Sequence, residues 1–488
     1  MKIHSIRLPL PKRSLFRQIA LFTLLAVFCA HAFAFFNLTY SGESVMLNAA
    51  NGFSAQIEGG QYLQAIYFKL RSGIASPLIV GLLSTLYLVL SLTLISDLLK
   101  LEHPLLQFSL CASVCAHPSL TAVFAERMHT ADALFLAFLF VSLGIWLCRR
   151  LRYGFIPGAA FLCAALALES VAASITAGLI LLTLCADLLN PSRDGNPAIY
   201  LIKACAAFAS ACAVYALGHL VMLRLTGLSS SAVLHLPETI LDAWLYPLRM
   251  LFAPLTAYTH VSVLLRAVLL LAAAACLFLL PNMSVPRRVS LLAAILLLPL
   301  AINLPVYSTE AAGQVRLSYA MIDMLLLLII QQSTRPRLHR AVCAAFAVLL
   351  LSGIVFSNQI YLKKNLEFEA TLSRMTRIID RAEDTPGFQP GLTPVAILGQ
   401  LDAPSITQPL KGFEHLTVFE AAASSTPVTR QEDMIWYCWE ILGYPFNFVS
   451  NYDHELLAQS AEVIAMPAFP DPACCQFIGD TLVIKISD

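Results

Sequence analysis

The sequence predicts a mainly α, polytopic membrane protein of about eleven transmembrane helices, followed by a small extracytoplasmic α/β domain. Three observations carry this prediction. Hydrophobic residues make up 58% of the 488-residue chain and charged residues 12%, with a mean hydropathy of +0.74, which is far from a soluble composition. The apolar residues fall in repeated runs long enough to cross a bilayer. Basic residues gather in alternate turns between those runs, and the run after Ser357 breaks off into ordinary soluble composition.

Lys12, Arg13 and Arg17 precede the first span, roughly Ile19 to Phe36. It lacks the shorter apolar core and small-residue cleavage site of a signal peptide, so it is expected to remain as an anchor with the N-terminus in the cytoplasm. The second span is expected from Pro77 to Leu99, the third from about Leu105 to Phe124, and the fourth from Ala133 to Cys148, stopped by Arg149, Arg150 and Arg152. Phe155 to Leu189 is too long for one helix and is broken at Glu169-Ser170, predicting two short spans that meet at the outer face. The seventh span is about Ala204 to Met222. In the outer segment after it, Thr239 to Phe252, with Trp244 and Tyr246, reads as a helix lying in the membrane interface. Val261 to Leu280 and Val289 to Pro305 flank Arg287-Arg288, and Leu317 to Ile330 and Ala341 to Phe356 flank Arg335, Arg337 and Arg340.

This layout comes from apolar runs alone, yet the turns it assigns to the cytoplasm hold RRLR, PSR, PRR and RPRLHR, as the positive-inside rule requires. The same parity puts Glu43, Glu58, Glu126, Asp132, Glu169 and Glu310 on the outer side, with everything after Ser357. Residues 1–357 then form a transmembrane domain with outer loops at 37–76 and 223–260, and residues 358–488 an extracytoplasmic unit. In that unit Tyr361 to Glu383 continues the last span as a helix, Val395 to Leu398 and Leu482 to Ile486 read as strands, and Glu432 to Leu442 reads as a helix capped by Gly443. Lys363, Lys364, Arg374, Arg377 and Arg381 alternate with acids, the pattern of a solvated face. Cys438, Cys474 and Cys475 lie there too, and their odd number leaves the pairing of a single disulfide open. No CxxC or Cys/His metal spacing occurs among the thirteen cysteines, and a net charge of +1 gives no sign of a nucleic-acid partner.

Chemistry is expected first in Ser41 to Arg71, where acids, amides, aromatics and bases interrupt an apolar chain. Glu43 lies a few residues past Phe36, which puts its carboxylate at headgroup height. Tyr62, Leu63, Ile66, Tyr67 and Leu70 recur at helical spacing, with Lys69 and Arg71 at the end, as in an interfacial helix, while composition alone favours the other reading, a solvated loop bearing an aromatic interface anchor. Glu126, Arg127, His129 and Asp132 form a polar knot after the third span. Asp132 has two readings, a chemical role beside His129 or an N-cap for a helix beginning at Ala133. A carboxylate such as Glu169 costs about 2.5 to 3.5 kcal/mol in hydrocarbon, so it must face a cavity or the outer surface. Asp323 calls for a packing partner such as Arg316, and Asp97 for Lys100 or water.

Read in order, YSGESV at Tyr40 to Val45, GQYLQAIYFKLR at Gly60 to Arg71, MHTAD at Met128 to Asp132, and NQIYLKKNLEFEATLSRMTRIIDR at Asn358 to Arg381 resemble the O-antigen serotype-converting glucosyltransferase family. The later TPVAILG, LGYP and AMPAFP extend the resemblance over most of the chain. The chain departs from that family's pattern at Gly42-Glu43, Gln61, Thr130 and Glu169-Ser170. The resemblance implies a GT-C-like fold and inverting transfer of a hexose, with glucose expected. The donor would be a polyprenyl-phosphate sugar at the outer leaflet of the cytoplasmic membrane, and the acceptor a cell-surface or lipid-linked glycan. In that scheme Glu43 is the general base, and His129 and Asp132 orient the acceptor hydroxyl or assist Glu43. The phosphate leaving group needs positive charge, for which Arg316 and Arg127 rank ahead of Lys69 and Arg71, with snorkelling the alternative role for Arg316. Gln61, Tyr62, Gln64, Tyr67 and Glu169 complete the expected substrate-binding set. No cofactor is evident, and a divalent cation shared by Glu43 and Asp132 has no ligand pattern behind it. Two other classes stand beside this one. A lipid-linked-sugar flippase or transporter would distribute polar residues along its spans in inverted repeats. A non-catalytic scaffold derived from the same fold would suit the altered positions.

Overall fold

The computed structural model describes residues 11–37, 53–71, 76–190, 196–231, 240–251, 259–278, 283–304, 317–401, 411–413, 416 and 431–487. Eighteen helices are seen in them. The first ten are α1 Arg13–Phe36, α2 Phe53–Glu58, α3 Tyr62–Leu70, α4 Pro77–Leu98, α5 Pro104–Cys115, α6 Pro118–Glu126, α7 Ala131–Arg150, α8 Phe155–Leu168, α9 Ala172–Leu189 and α10 Pro197–Thr226. They are followed by α11 Ile240–Leu251, α12 Thr259–Phe278, α13 Val285–Ile302, α14 Ala320–Ile330 and α15 Pro336–Glu383, and then by α16 Gln431–Trp436, α17 Asn451–Ala458 and α18 Ala461–Ala465. Eight helical segments are long and apolar enough to cross a membrane, and three shorter apolar ones lie at 155–168, 263–278 and 317–330.

The third apolar run is two helices rather than one. Pro118 has no amide hydrogen to donate and its ring clashes with a preceding helical turn, so α5 stops at Cys115. The His117 side chain then accepts the Ser119 amide and starts α6. The break is filled by α15: a Cβ on Gly353 would come within 2.6 Å of the Ala116 carbonyl oxygen, so only glycine lets the two backbones approach there. Nearby, His31 of α1 reaches both neighbours. Its Nε2 donates to the Cys115 carbonyl at 2.9 Å, which leaves Nδ1 to accept from the Tyr361 hydroxyl at 2.7 Å. Thr121 and Ser357 add a hydroxyl pair at 2.7 Å.

At one end of the bundle the helices are tied by basic residues. Asp187 meets Arg149 at 2.7 Å and Lys100 at 3.3 Å, Arg287 donates to the Leu188 carbonyl, and Gln331 donates to the Lys100 carbonyl. Asp97 takes Arg150 at 2.7 Å and the Trp146 indole at 2.8 Å. This corrects the expectation of Lys100 or water, because Asp97 lies toward α7 while Lys100 turns to α9. Helix α10 exceeds its expected span: 30 residues give about 45 Å against a hydrocarbon core of about 30 Å.

Helix α15 runs 48 residues, about 72 Å, without interruption across position 357. Its last turns support a four-stranded sheet in the order β2-β1-β4-β3, made of β1 Pro394–Leu398, β2 Asn447–Phe448, β3 Cys475–Ile478 and β4 Thr481–Lys485. β1 is parallel to β2 and β4, and β3 runs antiparallel at the edge. Strand alternation sorts the core: Val395, Ile397, Leu482 and Ile484 pack with Met375, Ile378 and Ala382 of α15, while Ala396, Leu398 and Val483 pack with Val463 and Met466. Gly443, at φ +61°, ends the turn after α16 in the left-handed conformation its position demands.

The solvated face expected for Lys363 and Lys364 is not found. Both are buried, Lys364 to 1% exposure. Lys364 pairs with Glu126 at 3.0 Å and Lys363 with Glu367 at 3.2 Å. The charge alternation is real, but these two lysines lie where α15 passes the end of α6, and burial with acids replaces hydration. All thirteen cysteines are free thiols.

Candidate functional site

The site lies at the end of the bundle opposite the Asp187 network and is organised by α3. Gln64, Tyr67 and Arg71 fall at i, i+3 and i+7 and so share one face of this short helix. The expected stripe is split: Ile66 and Leu70 are exposed together with Lys69, whereas Gln64, Ala65 and Phe68 are buried and Tyr62, Leu63 and Tyr67 pack partly against the protein. The inward face of α3 is therefore mixed, with polar Gln64 and Tyr67 set among Ala65 and Phe68.

Arg71 Nη1 donates to Asp132 Oδ1 at 2.7 Å, and the Tyr67 hydroxyl donates to Oδ2 at 2.8 Å. Arg71 Nη2 also donates to the His129 carbonyl, so one guanidinium ties α3 to both the short 3-10 turn Met128–Thr130 and α7. Asp132 is wholly buried and lies inside the first turn of α7, after Ala131. The cap reading therefore fails, since the carboxylate bonds outward to α3 and the residue at the cap position, Thr130, makes no side-chain cap. Tyr87 of α4 touches the Tyr67 hydroxyl at 3.3 Å. Burial first, and then the Asp132 charge, push the Tyr67 phenol far above its ordinary range, so it stays a donor.

The front of α3 is held by a second set. Gln61 Nε2 donates to Glu169 Oε1 at 3.2 Å, at the breaker between α8 and α9. Glu169 is buried against protein, which answers the cost of a carboxylate at that depth. Tyr62 stacks on Tyr215 and His219 of α10 at centroid distances of 6.0 and 6.5 Å, and a Cβ on Gly218 would lie 2.6 Å from its hydroxyl. Burial pushes the Tyr62 phenol up to about 12. His219 in turn donates to the Ile57 carbonyl at 2.8 Å, fixing α2.

Helix α3 thus brings together residues from five parts of the chain: Gln61, Tyr62, Gln64, Tyr67 and Arg71; His129 and Asp132; Glu169; Tyr215 and His219; and Tyr87, the last three of which no sequence signal singled out. Arg127 stands between α6 and the 3-10 turn, next to His129. Lys69 is exposed. Glu43 and Arg316, the expected base and first phosphate ligand, lie outside the described residues, as does Glu310. Arg266 of α12 supplies the charge facing buried Asp323. Among the described residues no group of three or more His, Cys, Asp or Glu side chains is arranged to hold a metal, and both Asp132 oxygens are engaged by Arg71 and Tyr67.

Three buried polar atoms at this site, Gln64 Nε2, Arg71 Nε and His129 Nδ1, have no hydrogen-bond partner among the described residues. Two of them are certain donors on the same face of α3. Such a face suits oxygen-rich ligands, namely hydroxyls, carboxylates or phosphates. Compared with known proteins, the chain matches no family model, no curated protein and no solved structure.

Proposed function

We propose that the protein is a membrane glycosyltransferase that moves a hexose, glucose in the expected case, from a polyprenyl-phosphate sugar to a cell-surface glycan. In this reading the bundle has about eleven spans, the Arg149 and Asp187 end faces the cytoplasm, and α3 with the terminal α/β unit lies on the outer side. The observation that carries the reading is the buried face of α3. The inward face of α3 presents Gln64 Nε2 and Arg71 Nε, both without partners among the described residues, beside a fixed carboxylate. A sugar carried on a prenyl tail needs oxygen-binding groups at that boundary between hydrocarbon and water.

The reading gives each residue a distinct part. Asp132, with both oxygens engaged, is a positioning residue that holds Arg71 and Tyr67 in place. Gln61 and Glu169 hold the entrance of α3, and Gln64 and Arg71 contact the sugar or its phosphate. Glu43 removes the proton from the acceptor hydroxyl, the acceptor oxygen attacks the anomeric carbon, and the bond to the phosphate oxygen breaks with inversion. Arg127 and Arg316 take the charge that develops on the leaving phosphate.

Transfer from a radiolabelled polyprenyl-phosphate hexose to glycan, run beside a flipping assay in vesicles, tests this. Label in glycan without flipping supports transfer. Flipping without label identifies a transporter, and neither activity identifies a scaffold.

A further inference from the structure

Cys474 and Cys475 are adjacent in sequence, and their sulfurs lie 3.8 Å apart. Cys474 closes the 3-10 turn Pro472–Cys474, and Cys475 opens β3 opposite Ile484 of β4. Both are buried, at 0% and 8% exposure, yet β3 is the edge strand of its sheet, and edge elements open locally at lower cost than central ones. The Cys474 thiol is drawn down first by a hydrogen bond from Cys475 and then by the guanidinium of Arg381 at the end of α15, against the burial that raises it. The same hydrogen bond and burial leave Cys475 high. Cys438, in the same core but without such neighbours, is pushed up to about 12 by burial alone.

We propose that Cys474 and Cys475 form a vicinal dithiol site that disulfide-class oxidants convert reversibly into an intramolecular disulfide. The Cys474 thiolate attacks one sulfur of an oxidant RSSR, breaking its S–S bond and releasing RS⁻, which takes up a proton. The Cys475 sulfur then attacks Cys474 Sγ, displacing the second RS⁻, which takes the Cys475 proton. The pair gives up two electrons and two protons, and the oxidant leaves as two RSH. Neighbouring Cα atoms are only about 3.8 Å apart across a trans peptide. Ordinary disulfides hold theirs at about 4.4 to 6.8 Å. The ring is therefore strained, and strained disulfides are readily reduced again.

The test uses the full-length protein in detergent, treated with a small aromatic disulfide and read by peptide mass spectrometry. The expected result is that the peptide carrying both cysteines loses two hydrogens, keeps no reagent, and regains them with a glutathione-class thiol. Cys475→Ser should instead retain one RS group of the reagent on Cys474 as a mixed disulfide, and Cys438→Ser should oxidise like the parent. Should Cys475→Ser not fold, the unmodified protein decides. Reagent retained on the pair at completion, a bridge to Cys438, or a pair that stays reduced while the denatured protein is oxidised overturns the proposal.

Discussion

The Arg71 guanidinium donates to the buried Asp132 carboxylate across 2.7 Å, joining the end of the short helix α3 to the first turn of α7 through side chains 61 positions apart. Removing one member of a buried pair strands the other charge, at a cost of about 3 to 5 kcal/mol. Asp132→Leu or Arg71→Met is therefore expected to lower the unfolding temperature in detergent by several degrees. The double variant Arg71→Met with Asp132→Leu should recover much of the loss. Losses that simply add in the double variant would show that the two side chains are not coupled.

Glu43→Gln keeps the shape of the side chain and removes its basicity. Under the transferase reading it should reduce hexose transfer by about 100- to 10,000-fold, the usual worth of general-base assistance. The amount of protein recovered in the membrane fraction should stay the same. Undiminished transfer would remove Glu43 from the mechanism.

Gly353→Ala forces a methyl group against the Ala116 carbonyl and Cβ, each 2.6 Å from its position. Overpacking of this kind costs about 1 to 3 kcal/mol. Chemical or thermal unfolding should show it, and a substitution at exposed Leu351, two residues away on the opposite side of the same helix, should show no comparable loss.

Glu367 lies on the polar continuation of α15, beyond its apolar span, and burial raises it to about 7 despite Lys364 and Lys363. The ordinary glutamate value is 4.5. Between those values the folded protein binds more protons at this position than the unfolded chain. The contribution of Glu367 is thus fully present below the lower value and is lost as pH rises through the upper one. The slope is at most about 1.4 kcal/mol per pH unit for one proton. Unfolding free energies measured from pH 4.5 to 7.5 should fall less steeply in Glu367→Gln, and identical slopes would reject the shift.

The helices were legible where the sequence carries local chemistry. The apolar runs located α4, α7 to α9 and α11 nearly to their ends, and Glu169-Ser170 marked the breaker between α8 and α9, whereas α1 starts six residues before its apolar run. The third run was read as one span, because hydropathy averaged over the whole stretch conceals the break at Pro118. Pairings between distant segments were not legible. Nothing local shows that His31 meets Tyr361, 330 positions on, or that Lys364 is enclosed beside Glu126. Charge alternation on α15 looks the same whether water or a neighbouring helix surrounds it. At the site, Gln61, Tyr67, Arg71, Asp132 and Glu169 each stood out as polar residues in an apolar chain. Their arrangement depends on which side of α3 turns inward, and spacing alone does not decide that. Tyr87 carried no signal, because a lone tyrosine in an apolar span reads as packing.

The unbroken rod of α15 also sets a phase rule. Each residue of an α-helix turns its successor by about 100° and advances it by about 1.5 Å. Adding a single residue between Lys364 and Met375 would swing the sheet a quarter turn or more around the rod, whereas adding a near-whole turn would mainly lift it. Length changes in this stretch are therefore constrained by angle before they are constrained by distance, as in a camshaft whose lobes must keep their bearing.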